Sequence, residues 1–143
     1  MKIYEAQKND FIISTDKSKL NIQFIHQYLS NESYWAKNIP VDTVKKSIDG
    51  SFCFGLYVQE EKNKPVLKQL GFARVITDHA TFAYVADVFI IEKFRGKGLA
   101  IWLMETIMDN PELQGLRRWM LAQKMHIHCM QNLALLPWIN RSG

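Results

Sequence analysis

The hydrophobic pattern of the chain changes its period after residue 50. Before that point, an apolar run at 11–14 predicts a short strand. Apolar residues three or four positions apart then predict two amphipathic helices, one at 20–29 and one at 41–48. Gly50 directly follows the second pattern and is typical of a helix end.

The next part of the chain is dominated by extended segments. Residues 52–59 and 70–77 predict two strands, joined through a polar hairpin loop at 60–65. The longest extended candidate is 81–91. Strict alternation would place Phe82, Tyr84, Ala86, Val88 and Ile90 on one face, with Ala83, Val85, Asp87, Phe89 and Ile91 on the other. Nearly all of these residues are apolar, so we expect both faces of this strand to be covered.

One further helix and one further strand complete the pattern. Apolar residues at helical spacing from 99 to 107 form a stripe, and Pro111 predicts the end of that helix. Residues 117–121 predict a short strand. Since no repeat, low-complexity tract or interdomain linker interrupts the chain, residues 1–143 are predicted to form one domain.

Composition narrows the class of protein. Basic residues exceed acidic ones, 18 to 14, but they are interspersed with acidic ones, which gives no support for a nucleic-acid partner. Apolar runs stay well short of the roughly 20 residues that a membrane span needs, so no membrane partner is expected. Cys53 lies in an apolar run where a reduced, buried thiol is expected, and this favours a cytoplasmic location.

The turn between the long strand and the following helix carries the candidate chemistry. It consists of Arg95, Gly96, Lys97, Gly98, Leu99 and Ala100. The first backbone N–H groups of a helix have no partner within it, and an anion can satisfy them. The glycines let the main chain approach a ligand, while Arg95 and Lys97 add positive charge. The turn therefore predicts a pyrophosphate site formed mostly by backbone, with a tight structural turn as the alternative.

Two other glycine-rich phosphate sites fit this turn poorly. The turn lacks the Gly-Lys-Ser/Thr of a P-loop. A dinucleotide fingerprint would place its glycines after a short early strand, with an acidic residue further along the chain.

The segment 86–100, ADVFIIEKFRGKGLA, resembles motif A of the GNAT acetyltransferases, whose signature is Arg/Gln-x-x-Gly-x-Gly/Ala. Arg95, Gly98 and Ala100 match that signature. The resemblance extends over about 52–121, because the order of hairpin strands, long strand, turn, helix and short strand is the family's core order. The adjoining strand also resembles a small bacterial GNAT subgroup of unassigned substrate.

The resemblance implies an α/β (α+β) fold and a co-substrate. The expected fold has a mixed, mostly antiparallel central sheet flanked by helices, with splayed strands that form the cleft for acetyl-CoA. In this family the backbone after a bulge in the long strand pairs with the pantetheine arm, so Val88, Phe89 and Ile90 are expected to contact it. Residues 95–100 are expected to hold the pyrophosphate.

Acyl transfer to an amine needs a group that accepts the proton of the amine. Asp87 is the only carboxylate inside the long strand, and this makes it the catalytic candidate, directly or through water. The alternative is a hydrogen-bonded structural carboxylate at the strand bulge. His79 falls in a predicted turn, where exposure is expected rather than catalysis.

The loop after the first predicted helix contains the neighbouring aromatic residues Tyr34 and Trp35. Aromatic residues in the early helix-loop region of the GNAT fold face the cleft, so the resemblance implies that this pair lines the acceptor pocket. Simple packing is the alternative.

The resemblance ends at Ala122. Family members continue with a helix that bears a Tyr and a strand of the form Leu-Tyr-x-Lys-Phe-Gly-Phe, which residues 123–137 do not match. One choice of codons for 123–136, read one base out of register, encodes Thr-Lys-Asp-Ala-His-Ser-Leu-Tyr-Ala-Lys-Phe-Gly-Phe-Thr. The hypothesis is that a single-base deletion replaced the native segment 123–143, and incompatible codons in the coding DNA would remove it.

An altered C-terminus has consequences for catalysis and assembly. The missing Tyr is the residue that commonly protonates the CoA thiolate in this family, so weakened or absent catalysis is expected. A missing last strand would leave an exposed sheet edge at 117–121, through which two copies could pair as a homodimer. No metal is expected, since His126, His128 and Cys129 lie too close together to complete a tetrahedral site alone.

The sequence thus leads to one hypothesis and one alternative. The hypothesis is an N-acetyltransferase that transfers an acetyl group from acetyl-CoA to a primary amine of a small molecule or peptide by direct attack. The alternative is a catalytically impaired acyl-CoA-binding or self-associating module.

Overall fold

The structure is a computed structural model that describes residues 2–61, 63–121 and the backbone of 139–141. In these residues the strands are β1 (Glu5–Lys8), β2 (Phe11–Ser14), β3 (Phe52–Gln59), β4 (Leu67–Thr77), β5 (Phe82–Ile90), β6 (Arg118–Leu121) and β7 (Ile139–Arg141). The helices are α1 (Ile22–Asn31), α2 (Val41–Asp49) and α3 (Leu99–Asp109). Within the same residues, no helix has the length and apolar character needed to cross a membrane.

One sheet contains all seven strands in chain order. The pairings from β1 to β5 are antiparallel, whereas β6 pairs parallel to β5 and β7 parallel to β6. The expected mixed, mostly antiparallel sheet is therefore confirmed. In the described residues, β6 pairs with β5 only from Phe82 to Val85, so the second half of β5 extends beyond this pairing.

Helices cover both faces of the sheet. The apolar stripe of α3, with Leu103 and Ile107 fully buried, packs into a core with β3, β4 and β5. On the other face, Ile25 and Leu29 of α1 and Val44 of α2 form a second core with residues of β3, β4 and β5. The prediction that both faces of the long strand are covered is confirmed.

The strand β1 and the start of β4 are missing from the sequence predictions. β1 has no apolar alternation, because it is an edge strand held by backbone pairing to β2. β4 begins at Leu67, three positions before the predicted start, and with 11 residues it is longer than β5, which has 9. The prediction that the segment at 81–91 is the longest strand is therefore wrong.

The sheet edge at β6 is also different from the expectation. β7 pairs with it over three positions, from Trp119 opposite Ile139 to Leu121 opposite Arg141. The prediction of an exposed edge at 117–121 is therefore wrong over this length, and it no longer supports dimer formation through β6. The proposed change of reading frame at 123–136 lies outside the described residues and stays a prediction.

Cys53 shows how thoroughly the core excludes solvent. Its side chain is 1% exposed, and burial raises the pKa of the thiol to about 12. Because the thiolate is the reactive form, Cys53 is expected to resist alkylation by iodoacetamide at about pH 8 in the native protein and to react fully in guanidinium chloride. Mass spectrometry of the Cys53 peptide provides the measurement. Native labelling as fast as that of a free thiol would contradict this prediction.

Candidate active site

The second half of β5 is reshaped by a bulge at Asp87. The register between β4 and β5 shifts between Phe72 and Arg74, and Asp87 has a left-handed φ of 53°. The extra residue breaks strict alternation, so Val85 and Val88 lie in the same core cluster. The predicted division of this strand into two alternating faces is therefore wrong beyond residue 86.

Asp87 is buried and holds two partners at the bulge. Its Oδ2 accepts a hydrogen bond from Arg74 Nε at 2.8 Å in a salt bridge, and its Oδ1 accepts one from Trp35 Nε1 at 2.9 Å. Asp is among the few residues that tolerate a left-handed φ. Since both carboxylate oxygens are engaged, this geometry favours the structural alternative over the catalytic one.

The Asp87 contact extends through Arg74 to Ser51, directly before β3. Arg74 Nη1 donates to Ser51 Oγ at 3.2 Å, and Ser51 Oγ donates to the carbonyl oxygen of Ser47 at 2.6 Å. A single polar chain therefore links the loop that carries Trp35 with the bulge, with β4 and with the last turn of α2. It fixes the bulge relative to the α1–α2 face of the sheet.

The aromatic pair predicted to line the acceptor pocket occupies the loop after α1. The Tyr34 and Trp35 rings meet edge to face, with centroids 5.1 Å apart. Trp35 is half-buried and points its indole N–H at Asp87, whereas Tyr34 is 63% exposed. The structure thus brings Trp35 to the bulge and leaves Tyr34 at the surface beside it, where its role in acceptor binding stays a prediction.

The turn at 95–100 leads from a short 3-10 turn, Glu92–Phe94, into α3. Gly96 and Gly98 both have left-handed φ values, 81° and 77°. A Cβ atom added at either position would meet no other atom of the described chain within 4 Å. These glycines are therefore favoured by their left-handed backbone conformation rather than by close packing.

The N-terminus of α3 differs from that of α1 in its capping. The Asn21 side chain accepts a hydrogen bond from the Phe24 N–H at 3.0 Å and so caps α1. Gly98 stands at the corresponding position of α3 and provides no side-chain cap. Uncapped N–H groups, the helix dipole, the exposed Lys97 and open space beside two glycines are what a diphosphate requires. The turn therefore fits the diphosphate of a coenzyme.

Arg95 does not extend freely from this turn. Its Nε donates to the carbonyl oxygen of Ile90 at 2.9 Å, and its Nη2 donates to the hydroxyl of Tyr28 at 2.8 Å. Tyr28 in turn stacks on Phe89, with ring centroids 3.9 Å apart and planes 7° from parallel. An open cavity of about 200 Å³ lies alongside, lined by Phe24, Gln27, Tyr28, Asn31 and Glu32 of α1.

Sequence reasoning missed Tyr28 and Arg74. Tyr28 shares the buried face of α1 with Ile25, where it looks like an ordinary core residue. Arg74 offered a clearer signal, since it is an isolated cation in the apolar part of one strand, as Asp87 is an isolated carboxylate in the next.

His79 is exposed in its turn, as predicted. Among the described residues, no group of three or more His, Cys, Asp and Glu is placed to hold a metal, and the residues 126–129 lie outside that part of the chain.

A mixed sheet with a bulged strand that leads into a glycine turn and a helix is the architecture that the resemblance to acyltransferases implies. The model of the acetyltransferase (GNAT) family matches residues 22–133. The chain therefore belongs to the GNAT family of acetyltransferases. This match continues past Ala122, where the sequence analysis placed the end of the resemblance.

Individual relatives agree with this assignment. A protein of Gibberella zeae named "putative acetyltransferase" is 34% identical, in an alignment that covers 84% of this chain and 76% of that protein. The crystal structure of a "putative acetyltransferase belonging to the gnat family" from Xanthomonas campestris is 42% identical, with a TM-score of 0.77 over 89% of this chain and 87% of that chain. A structure from Deinococcus radiodurans shares the fold at 16% identity, with a TM-score of 0.63 over 96% of this chain and 89% of that chain.

Proposed function

We propose that this chain transfers an acetyl group from acetyl-CoA to a primary amine of a small molecule or peptide. The observation that carries the proposal is the uncapped start of α3 beside two left-handed glycines. Members of the GNAT family use acetyl-CoA, which supplies the acetyl group as an activated thioester. The N–H groups of the turn 95–100, together with Lys97, would hold its diphosphate.

The register of β5 supports a role for its second half in holding the pantetheine arm. Ile91 N–H donates to the carbonyl oxygen of Leu70 at 2.9 Å, so the peptide groups of residue 91 face β4. Since successive residues of a strand alternate, the peptide groups of Val88 and Ile90 face away from β4. They face the side on which β6, in the part of the chain that the structure describes, pairs from Phe82 to Val85. An extended arm along this side would run as an added strand and pair with the N–H of Ile90, whose carbonyl oxygen already accepts a hydrogen bond from Arg95.

The reaction proceeds by direct attack of the amine nitrogen on the thioester carbonyl. A C–N bond forms and the C–S bond breaks, the amine loses one proton, and the departing thiolate gains one. The loop with Tyr34 and Trp35 would form one wall of the acceptor site, since Trp35 contacts the bulge through Asp87. The two hydrogen bonds of Asp87, from Trp35 and Arg74, give it a positioning role.

Binding of acetyl-CoA gives the first test. At a concentration about 100 times Kd, a ligand stabilises the native state by about 2.7 kcal/mol, which for a chain of this size raises Tm by about 5–10 °C. We expect this shift with acetyl-CoA in a thermal unfolding measurement, and a smaller one with inorganic phosphate at the same concentration. The absence of any shift at a saturating concentration would overturn the proposal.

A second candidate function is a module that binds acyl-CoA with little or no turnover. One observation favours it: all five tyrosines lie at or before position 84, so the C-terminal Tyr that commonly protonates the thiolate in this family is absent. Release of free CoA thiol during incubation with a panel of primary amines distinguishes the two functions. Turnover above the rate of thioester hydrolysis supports the enzyme, whereas a Tm shift without turnover supports the binding module.

A further inference from the structure

The side chain of Arg95 connects α1 with the turn at 95–100, which is the cofactor turn. One of its donors binds the Ile90 carbonyl at the end of β5, and another binds the Tyr28 hydroxyl on α1. These residues belong to three separate elements, which Arg95 joins. Because the guanidinium is planar and carries its donors in a fixed fork, two such bonds determine where the side chain and its backbone lie.

Tyr28 is itself held rigidly by the strand beneath it. Tyr28 is 8% exposed, and its ring lies flat on that of Phe89, one residue from Ile90. Burial raises the pKa of Tyr28, so the phenol stays neutral at pH 7 and its oxygen can accept the hydrogen bond from Arg95. Both anchors of Arg95 are therefore fixed by the same stretch of β5.

The Ile90 carbonyl lies on the side of β5 that faces away from β4, as the register at Leu70 and Ile91 requires. Arg95 therefore binds this side of β5 at its last residue, close in sequence to its own turn. Because two of its donors already have acceptors in the protein, the guanidinium does not offer them to a ligand. It can instead hold the turn, with the uncapped N–H groups of α3, in one position relative to α1.

We propose that Arg95 is a positioning residue that fixes the cofactor turn, and that the Tyr28 hydroxyl sets the affinity for acetyl-CoA through Arg95. This inference rests on the proposed function, in which the backbone of the turn and Lys97 hold the diphosphate. It goes beyond that function because it gives a residue of α1 a role in determining the affinity. Loss of the hydroxyl would leave the ring stack intact while releasing one end of Arg95.

A double-mutant cycle tests the proposal. Tyr28→Phe keeps the ring and removes the hydroxyl, and Arg95→Met keeps the length of the stem and removes the donors. We expect Tyr28→Phe to raise the Kd for acetyl-CoA by about 3–10-fold, the size of one hydrogen bond. Arg95→Met should raise the Kd at least as much, and the double variant should bind no more weakly than Arg95→Met alone. Titration calorimetry provides the measurement.

Tyr57→Phe is the matched control. Tyr57 is 1% exposed and its hydroxyl has no hydrogen-bond partner in the described part of the chain. Removing that hydroxyl should leave the Kd for acetyl-CoA unchanged and should leave thermal stability unchanged or raise it. Where turnover is measurable, Tyr28→Phe should raise KM for acetyl-CoA with kcat within about twofold of wild type, which a general loss of structure would not produce.

The outcomes separate this proposal from the proposed function. If the wild-type protein does not bind acetyl-CoA, the proposed function itself fails. Two results with a wild-type protein that binds would overturn only the positioning proposal. One is an unchanged Kd in Tyr28→Phe. The other is a double variant in which the two single effects multiply, because the hydroxyl would then not act through Arg95. Since Arg95 is exposed, Arg95→Met should fold even if Tyr28→Phe does not, and an unchanged Kd in that variant would also overturn it.

Discussion

Replacement of Asp87 by alanine is expected to lower the free energy of unfolding by about 3–5 kcal/mol, because it breaks a buried ion pair and leaves the partner charge behind. The side chains of Arg74 and Asp87 are only 17% and 12% exposed, so water replaces the lost partner only in part. Alanine would also inherit the left-handed φ of 53°, which an L-residue with a Cβ disfavours. Urea denaturation monitored by Trp fluorescence measures the change.

Two further variants determine whether Asp87 does more than hold the bulge. Asp87→Asn tolerates the same φ and keeps one acceptor, so we expect a smaller loss of about 1–3 kcal/mol and turnover within about tenfold of wild type. Asp109→Ala, at an exposed carboxylate at the end of α3, should change stability by less than about 0.5 kcal/mol. A well-folded Asp87→Asn variant that loses turnover more than about a hundredfold would instead support the role of catalytic base.

Elements with a strong local pattern could be predicted from the sequence, and those held by pairing alone could not. The pattern predicts β3 with the bounds that the structure has, Phe52–Gln59, because apolar residues cover both faces and turn residues end the run. β1 has one half-buried residue and is polar otherwise, so its only support is the ladder to β2. The bulge at Asp87 has no signature in residue types, and this is why strict alternation misplaces the residues after it.

The candidate site divides in the same way. The turn at 95–100 is a local feature, since glycines, charges and a following helix lie in one short stretch, and its position follows from the sequence. The bond between Arg95 and Tyr28 joins residues 67 positions apart, and the bond between Trp35 and Asp87 joins residues 52 positions apart. Such contacts depend on where α1 and its loop pack on the sheet, which periodicity does not determine.

Gly98→Ala is expected to weaken acetyl-CoA binding by at least about tenfold, or 1.4 kcal/mol, while the protein still folds. A Cβ at this position meets no atom of the described chain within 4 Å, so the native packing accommodates it. The methyl group would, however, stand beside the N–H groups that are proposed to receive the diphosphate, and would hinder close approach. The Kd for acetyl-CoA from titration calorimetry measures the effect.

Gly115→Ala separates this effect from backbone strain. Gly115 has a φ of 74°, nearly the same as the 77° of Gly98, and an added Cβ there also meets open space. Both variants should therefore lose about 1–2 kcal/mol of stability to the left-handed conformation of alanine. Only Gly98→Ala should lose affinity, because Gly115 lies in the turn before β6 and not at the start of α3. Equal Kd values for the two variants would mean that the diphosphate is bound elsewhere, since strain alone cannot distinguish them.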